Sequence, residues 1–467
     1  MPPMENEYDF TVIGGGSAEY AAASLAAGAG LRVAVAEGGR EVGGLCILRG
    51  CMPSKTLLAT ANRAAAVRGA AEFGVKARLD GVDGTAMQAR KRMLIADFAG
   101  YRKGQLESGR FAFVRGLARF TGTHTVEITT AEGSRILRSR TFLIATGSVL
   151  VPPPVPGLVE TGFLDSDAML ESEHLPASII VLGGGAIALE AATFYAGIGS
   201  HVTLLQRSTR VLKEADPDIS EAVANGLRHH GVRVETGVEL LLCKKTNDGK
   251  VVRFRQNGVE SECAAEEIMS ALGRAPATRG LALEACGVAL KGARIAAQAT
   301  QQTSQPHIFV AGDVCGPLEV VHLAIQQGEI AARNVIRQLS NATESLEEMD
   351  YRLKMLAVFS DPGVATVGLT EAEARAQNIP ILSASYPFAD HGKSMVEGHL
   401  HGFVKLTVHA ESREILGGAV VGPHAAELIH EVVTAMYFRA KAGDLARVPH
   451  YHPTLSEIWT YPAEELT

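Results

Sequence analysis

Two stretches of the chain share one hydrophobic pattern. Residues 9–16, DFTVIGGG, run a block of apolar and β-branched positions directly into three glycines. A short continuous run of this kind reads as a strand buried on both faces. An alanine-rich helical stretch follows from Ser17 and stops at Gly28, and LRVAVAE then forms a second strand ending at Glu37. The pattern returns at 178–185, SIIVLGGG, with a helix predicted over 186–196 and a strand, HVTLLQ, ending at Gln206. The spacing from Gly14 to Glu37 equals that from Gly183 to Gln206. Each unit is a β-turn-α-β whose glycine-rich turn opens a helix, where backbone N–H groups and the helix dipole can hold a pyrophosphate. One such turn is weak evidence, because many helices start at glycines. Two in the same context and register point to two dinucleotide sites.

The rest of the pattern marks boundaries. The proline-rich VPPPVPG at 151–157 reads as a crossing between domains, and the charged, irregular NATESLEEMD at 341–350 as a second boundary. Beyond Tyr351, strand-like VATVGLT and FVKLTV alternate with helix-like AAELIHEVVTAMYF, an α+β pattern distinct from the dinucleotide units. A length of 467 residues allows two to four domains. With 44 basic against 51 acidic side chains the net charge is −7, which argues against nucleic acid or an anionic membrane as the main partner. The opening MPPMENEYDF has no basic and apolar leader pattern, and four prolines (Pro152, Pro153, Pro154, Pro156) break the uncharged run 141–159. A cytoplasmic protein with no membrane segment is expected.

The two repeats end differently. Glu37 is placed to accept hydrogen bonds from an adenosine ribose. Gln206 is followed by Arg207, Arg210 and Lys213, a neutral amide beside cations that suits a 2′-phosphate. The alternative is that Gln206 bonds ribose hydroxyls while the cations form a solvated face. Of six cysteines only Cys46 and Cys51 lie close together, inside GGLCILRGCMPSK at 43–55, and there is no CxxC pair and no metal-ligand spacing. A CxxxxC pair can close a small ring, and Pro53 can start the helix that carries it. Beside a flavin, such a disulfide takes two electrons and passes them on as a dithiol. The alternative, two reduced cysteines packing as small hydrophobes, fits poorly with a position directly downstream of a dinucleotide fingerprint.

At this point the chain resembles the FAD-dependent pyridine nucleotide–disulfide oxidoreductases of class I. Seven motifs stand in that family's order: the Gly14–Ser17 turn, the Gly43–Lys55 cysteine loop, Ala145–Thr146–Gly147, GGGAIALE ending at Glu190, Gly273–Arg274–Ala275–Pro276, Ala311–Gly312–Asp313, and HPTLSE from His452 to Glu457. The resemblance implies an α/β fold with two Rossmann-like dinucleotide-binding domains, for FAD and NAD(P), plus a C-terminal α+β dimerisation domain. Residues 1–150 and 273–345 would form the FAD-binding domain, 151–272 the NAD(P)-binding domain and 346–467 the dimerisation domain.

The resemblance also implies roles. Cys51 would lie against the flavin, and Cys46 would attack the disulfide or dithiol substrate. Lys55 and Glu190 would pair where hydride arrives. Gly14, Gly16, Glu37, Lys55, Ala118, Thr146, Gly147 and Asp313 would line the FAD, and the helix beginning near His322 would aim its dipole at the flavin. Gly183, Gly185, Gln206, Arg207, Val238 and Gly273 would meet NAD(P)(H). His452, oriented by Glu457, would protonate a leaving thiolate and act as base in reverse. In the family this dyad comes from the partner subunit of a homodimer.

The chain departs from the family pattern in four places. Glu19 stands where Gly or Ala is usual and adds bulk and charge beside a pyrophosphate. Leu45, Leu48 and Arg49 change the cysteine loop, Ala186 replaces a frequent aromatic, and Ala277 replaces the Asn that usually follows GRxP. Within the family, His322 followed by Gly328 matches the dihydrolipoamide dehydrogenase branch, whose substrate is a dithiol that a lipoylated carrier protein can bear. A metal-ion reductase like mercuric reductase is the first alternative. That branch uses a C-terminal cysteine pair and usually Tyr at the position of His452, whereas no cysteine follows Cys315 here. A non-catalytic flavoprotein subunit is the second, against which the cysteine pair and His452 argue.

Overall fold

A computed structural model describes residues 6–467, and the chain divides into two units, each assembled from separate stretches. The first takes the chain up to Pro53, Arg90–Pro152 and Gly273–Asp350. Its sheet sets Ala112–Arg115, Val33–Glu37, Glu7–Ile13 and Gly133–Ile144 side by side in parallel. Ile308–Val310 joins the C-terminal part of Gly133–Ile144 in parallel, while Thr125–Thr130 and Leu117–Gly122 continue antiparallel from its N-terminal part.

The apolar run of the first strand is buried on both faces, as its sequence requires. Phe10 and Val12 pack with Ala18, Ala22 and Ala26 of the helix Ser17–Gly28. Ile13, with Ala34 and Ala36 of the neighbouring strand, packs on the other face with Phe120, Phe142 and Leu281. The alanines of that helix serve close approach. Where it meets the helix Val321–Leu339, a Cβ on Gly328 would lie 2.4 Å from the Ala18 carbonyl oxygen.

The second unit takes Ser54–Ala89, Pro153–Leu272 and Tyr351–Thr467. It repeats the parallel arrangement in four strands, ordered Arg233–Thr236, His201–Gln206, Ser178–Leu182 and Glu267–Ser270. A three-stranded antiparallel sheet, Val238–Thr246, Gly249–Gln256 and Val259–Ala265, follows in the chain. The α+β region forms a five-stranded antiparallel sheet ordered Met355–Val358, Gly363–Gly368, Ile415–Gly422, Phe403–His409 and Ile381–Pro387. The helix Ala425–Tyr437 covers it, and the fully buried Trp459 anchors the C-terminal turns by donating Nε1–H to the Leu428 carbonyl at 3.1 Å. Among the described residues no helix is long and apolar enough to cross a membrane.

Two local expectations shift. The helix predicted over 186–196 runs Ala186–Ile198, because Gly197 does not stop it. A Cβ on Gly197 would lie 2.7 Å from the Ala61 side chain, so that glycine serves packing, and Gly199 at φ 106° ends the helix instead. The helix following the cysteine loop starts at Cys51, so Pro53 lies within its first turn, where no N–H is needed.

Candidate active site

Both glycine turns are built alike. A Cβ on Gly14 would lie 2.7 Å from the Ala145 carbonyl oxygen, and one on Gly183 would lie 2.6 Å from that of Ala271. Both residues have φ near +120°, so only glycine fits either corner. The strand-end side chain lies over the middle glycine of its turn: Cβ positions on Gly15 and Gly184 would fall 2.2 Å from Glu37 Oε2 and 2.8 Å from Gln206 Cδ. Gly16 and Gly185 cap the two helices. Gln206 also donates to the Arg210 carbonyl at 3.3 Å, Lys213 pairs with Glu214 at 3.2 Å, and Arg207 is exposed. Val238 is buried at the start of its strand, and Gly273 has φ 121° with open space where a side chain would stand.

Glu19 sits inside the first turn. It is 5% exposed, and its carboxylate accepts the backbone N–H groups of Glu19 and Gly16. Burial pushes its carboxyl from an ordinary 4.5 up to about 8, with the Glu37 charge adding and the backbone bonds and Arg102 opposing. Arg102 stands beside it, its guanidinium 4.4 Å from the Tyr20 ring centre and donating to the Gly16 carbonyl at 3.4 Å. A pyrophosphate at a helix N-terminus takes the same N–H donors. The turn and Glu37 therefore fit FAD, and Glu19 competes with it. Glu19→Gly should tighten FAD binding by about 0.5–1.5 kcal/mol, the net worth of a hydrogen bond to a freed N–H donor, read as flavin fluorescence quenching on titrating the apoprotein; unchanged affinity would contradict the competition. The apoprotein takes up a proton at Glu19 on folding, so its stability should fall as pH rises from about 4.5 to about 8. Glu19→Gln should remove that slope.

The cysteine loop is pinned onto this turn. Gly44 has φ 73°, and a Cβ there would lie 2.5 Å from the Gly16 Cα. Cys46 rides on the short helix Gly44–Arg49, and Cys51 is the first residue of Cys51–Gly69; both are half-buried. Between them a Cβ on Gly50 would lie 2.9 Å from the Leu45 carbonyl oxygen and 3.1 Å from the Cys46 Cα, so the two helix ends meet closely. Arg49 bonds Glu41 at 2.6 Å.

Lys55 follows one turn after Cys51. Its Nζ lies 2.8 and 2.9 Å from the two oxygens of Glu190, which also accepts the Phe359 backbone N–H at 3.1 Å. The Phe359 ring centre is 4.5 Å from the ammonium. A carboxylate, itself fixed by the Phe359 amide, and an aromatic face thus hold one cation in place.

On the first unit, Thr146 donates to the Ala277 carbonyl at 2.7 Å, and the Gly147 carbonyl accepts the Ala277 N–H at 2.9 Å. The position that departs from the family pattern is therefore held through its backbone. Ser148 donates to Asp313 at 2.7 Å and accepts from Arg274 at 2.9 Å. Ala118 is half-buried on its strand, and His322 is the second residue of Val321–Leu339. Gln327 ties that helix to the Asp313 turn, accepting the Gly312 N–H and donating to the Gly316 carbonyl, both at 2.7 Å.

On the second unit, His452 is 78% exposed, and its Nδ1 lies 2.9 Å from Glu457 Oε2. Burial works most strongly against the Glu457 charge, but the His452 bond and charge, the Thr454 N–H and His391 together outweigh it and hold the carboxyl below its ordinary value. With Nδ1 on Glu457 and the side chain mostly exposed, His452 Nε2 is left free of that contact. Sequence reasoning missed three neighbours: Phe359 against Lys55 and Glu190, Arg102 beside Glu19, and His391, whose Nε2 lies 3.5 Å from Glu457 Oε1. No spacing signal marks any of them. Among the described residues, no group of three or more His, Cys, Asp or Glu is placed to hold a metal ion.

Residues 8–328 match the pyridine nucleotide-disulphide oxidoreductase family and residues 355–463 match that family's dimerisation domain. The chain is 34% identical over 464 residues to a dihydrolipoyl dehydrogenase of Thermus scotoductus, covering 98% of this chain and 97% of that protein. It is 32% identical to a mercuric reductase of Bacillus cereus, covering 97% of this chain and 70% of that protein. The solved Cu(II) complex of the HOCl-induced flavoprotein disulfide reductase RclA from Escherichia coli superposes with a TM-score of 0.85 at 26% identity, covering 99% of this chain and 100% of that one.

Proposed function

The chain belongs to the pyridine nucleotide-disulphide oxidoreductase family, and on that premise we propose that it exchanges electrons between NAD(P)H and a dithiol/disulfide of the lipoamide type through Cys46 and Cys51. It is a flavoprotein disulfide oxidoreductase that uses FAD and NAD(H), with a dimerisation domain that makes it a homodimer. The observation that carries the proposal is Gly44 seated on Gly16, which couples the cysteine loop to the turn that fits FAD.

Bound FAD supplies the two-electron carrier. In the dithiol-oxidising direction, one substrate thiolate attacks Cys46 of the Cys46–Cys51 disulfide and Cys51 leaves as a thiolate. The second substrate thiolate attacks the mixed disulfide at the substrate sulfur, releasing cyclic disulfide and leaving the chain with two reduced cysteines. His452 Nε2 takes a proton from the substrate dithiol and returns it in the reverse direction, while Glu457 orients the ring. Glu190 and Phe359 hold the Lys55 ammonium, whose charge would favour the reduced form of a bound flavin. Gly14, Gly16, Glu37, Ala118, Thr146, Gly147, Asp313 and His322 serve FAD, and Gly183, Gly185, Gln206, Arg207, Val238 and Gly273 serve the nicotinamide nucleotide. We assign 1–150 and 273–345 to FAD, 151–272 to NAD(P) and 346–467 to dimerisation. A lipoylated carrier protein is the proposed physiological partner, in the cytoplasm, where nicotinamide nucleotides are plentiful.

The test is turnover with NADH and NADPH against lipoamide, a lipoylated carrier domain, glutathione disulfide and Hg(II). Lipoamide or the lipoylated domain should turn over fastest; turnover of Hg(II) alone would replace this reading with metal-ion reduction. NADPH should be accepted, and Arg207→Ala should raise its KM more than that of NADH. An equal effect on both would show that Arg207 does not read a 2′-phosphate.

A further inference from the structure

Glu457 lies between two imidazoles. His452 takes one oxygen at 2.9 Å and is exposed, whereas His391 faces the other at 3.5 Å with its side chain 1% exposed. No motif accounts for His391. It directly precedes the short helix Gly392–Glu397, and its Nδ1 lies 2.8 Å from the buried Ser394 hydroxyl oxygen. Its Nε2 is buried and makes no hydrogen bond among the described residues, and Glu457 Oε1 faces it at 3.5 Å.

We propose that His391 is a positioning residue for the His452–Glu457 pair: its buried imidazole directs Nε2–H at the second oxygen of Glu457, fixing the carboxylate plane and sharing its charge. This rests on the reading of His452 as the acid–base group. A carboxylate oxygen only accepts, so a bare Nε2 would set lone pair against lone pair in a buried site. The proton therefore sits on Nε2, and Nδ1 accepts the Ser394 hydroxyl. The donors then run from Ser394 to His391 to Glu457 Oε1, and separately from His452 Nδ1–H to Glu457 Oε2, leaving His452 Nε2 bare to work on thiols.

The surroundings keep His391 a neutral donor. Burial lowers its affinity for a second proton, outweighing the pull of Glu457, and His452 lowers it further. On the helix it precedes, Lys393 pairs with Glu397 at 2.9 Å, and the charged groups that act on His391 from other elements are Glu457 and His452. Tyr461 presents its ring edge-on to His391 at 6.3 Å and stacks on Tyr386, whose hydroxyl donates to Asp390. Besides His391 at 3.5 Å, Glu457 Oε1 receives among the described residues the Thr454 N–H at 3.4 Å. Without His391, Oε1 keeps only that contact, and the carboxylate holds the His452 proton more strongly.

The test is the pH profile of the dithiol–disulfide half-reaction in FAD-loaded enzyme. In His391→Phe, which keeps a buried ring and loses the donor, the acid limb should move up by about half to one pH unit, with rates on that limb about 3- to 10-fold lower. Flavin reduction by NADH should be unchanged. His391→Gln, which keeps a side-chain N–H, should recover most of the loss. If His391→Phe does not fold, Ser394→Ala, which removes the hydroxyl that fixes the tautomer, should shift the limb in the same direction. A folded His391→Phe enzyme with a wild-type profile, or an unshifted Ser394→Ala, overturns the proposal. Should His452→Gln leave the half-reaction unslowed, the acid–base reading itself fails; should it slow the step while the His391→Phe profile stays unshifted, only this inference fails.

Discussion

Replacing either Cys46 or Cys51 with serine should abolish disulfide turnover while leaving FAD bound. Cys46 lies within the short helix Gly44–Arg49 and Cys51 starts the next one beyond Gly50, in a loop seated on the turn that fits FAD. A serine oxygen forms no disulfide, so either variant removes the two-electron store between flavin and substrate. The variants should nevertheless differ. Cys46→Ser leaves Cys51, whose thiolate should give a long-wavelength absorbance band with oxidised flavin; Cys51→Ser should give none. Neither substitution touches Gly16 or Gly44, so FAD content per subunit should match wild type. Full dithiol-dependent activity in either variant would sink the assignment of the redox pair.

His452→Gln should slow the dithiol–disulfide half-reaction by about 10²–10⁴-fold, the usual worth of general acid–base assistance. Thiolate is both nucleophile and leaving group in the exchange, so a proton must leave the incoming dithiol and return to the departing one. Glutamine keeps a hydrogen-bonding side chain but cannot carry that proton. Rapid-mixing kinetics should show flavin reduction by NAD(P)H much less affected, because no thiol is exchanged in that step. Glu457→Gln should act in the same direction more weakly, since it leaves the imidazole in place and removes only its orientation and charge. In a homodimer whose dyad serves the opposite subunit, mixed dimers of Cys46→Ser and His452→Gln subunits should regain one working site. Equal slowing of both half-reactions in His452→Gln would assign this residue a structural role.

The two dinucleotide units were legible because a strand buried on both faces, a glycine corner and a capped helix each leave a local signature, and the signature occurs twice in one register. Cys46 with Cys51, and His452 with Glu457, were legible for the same reason: each pair lies within a few residues. Contacts made by tertiary packing were not. Phe359 reaches Glu190 through its backbone N–H and Lys55 through its ring, contacts between separate elements that no local spacing encodes. His391 reaches Glu457 because the connection between the strands Ile381–Pro387 and Phe403–His409 carries it there. Glu19 was legible as a departure but not in its orientation. A charged side chain at a helix start more often points to solvent, and this one is drawn inward by the two backbone N–H groups that its own helix leaves unsatisfied.

The central claim is that reducing equivalents pass from nicotinamide nucleotide through FAD and the Cys46–Cys51 pair to a disulfide. Anaerobic titration of the FAD-loaded enzyme with NADH, followed by addition of lipoamide, tests it most directly. Oxidised-flavin absorbance should be lost on adding NADH and return fully with lipoamide, with no return in Cys46→Ser. Flavin that bleaches with NADH and stays bleached with lipoamide, or that recovers equally in Cys46→Ser, would contradict it.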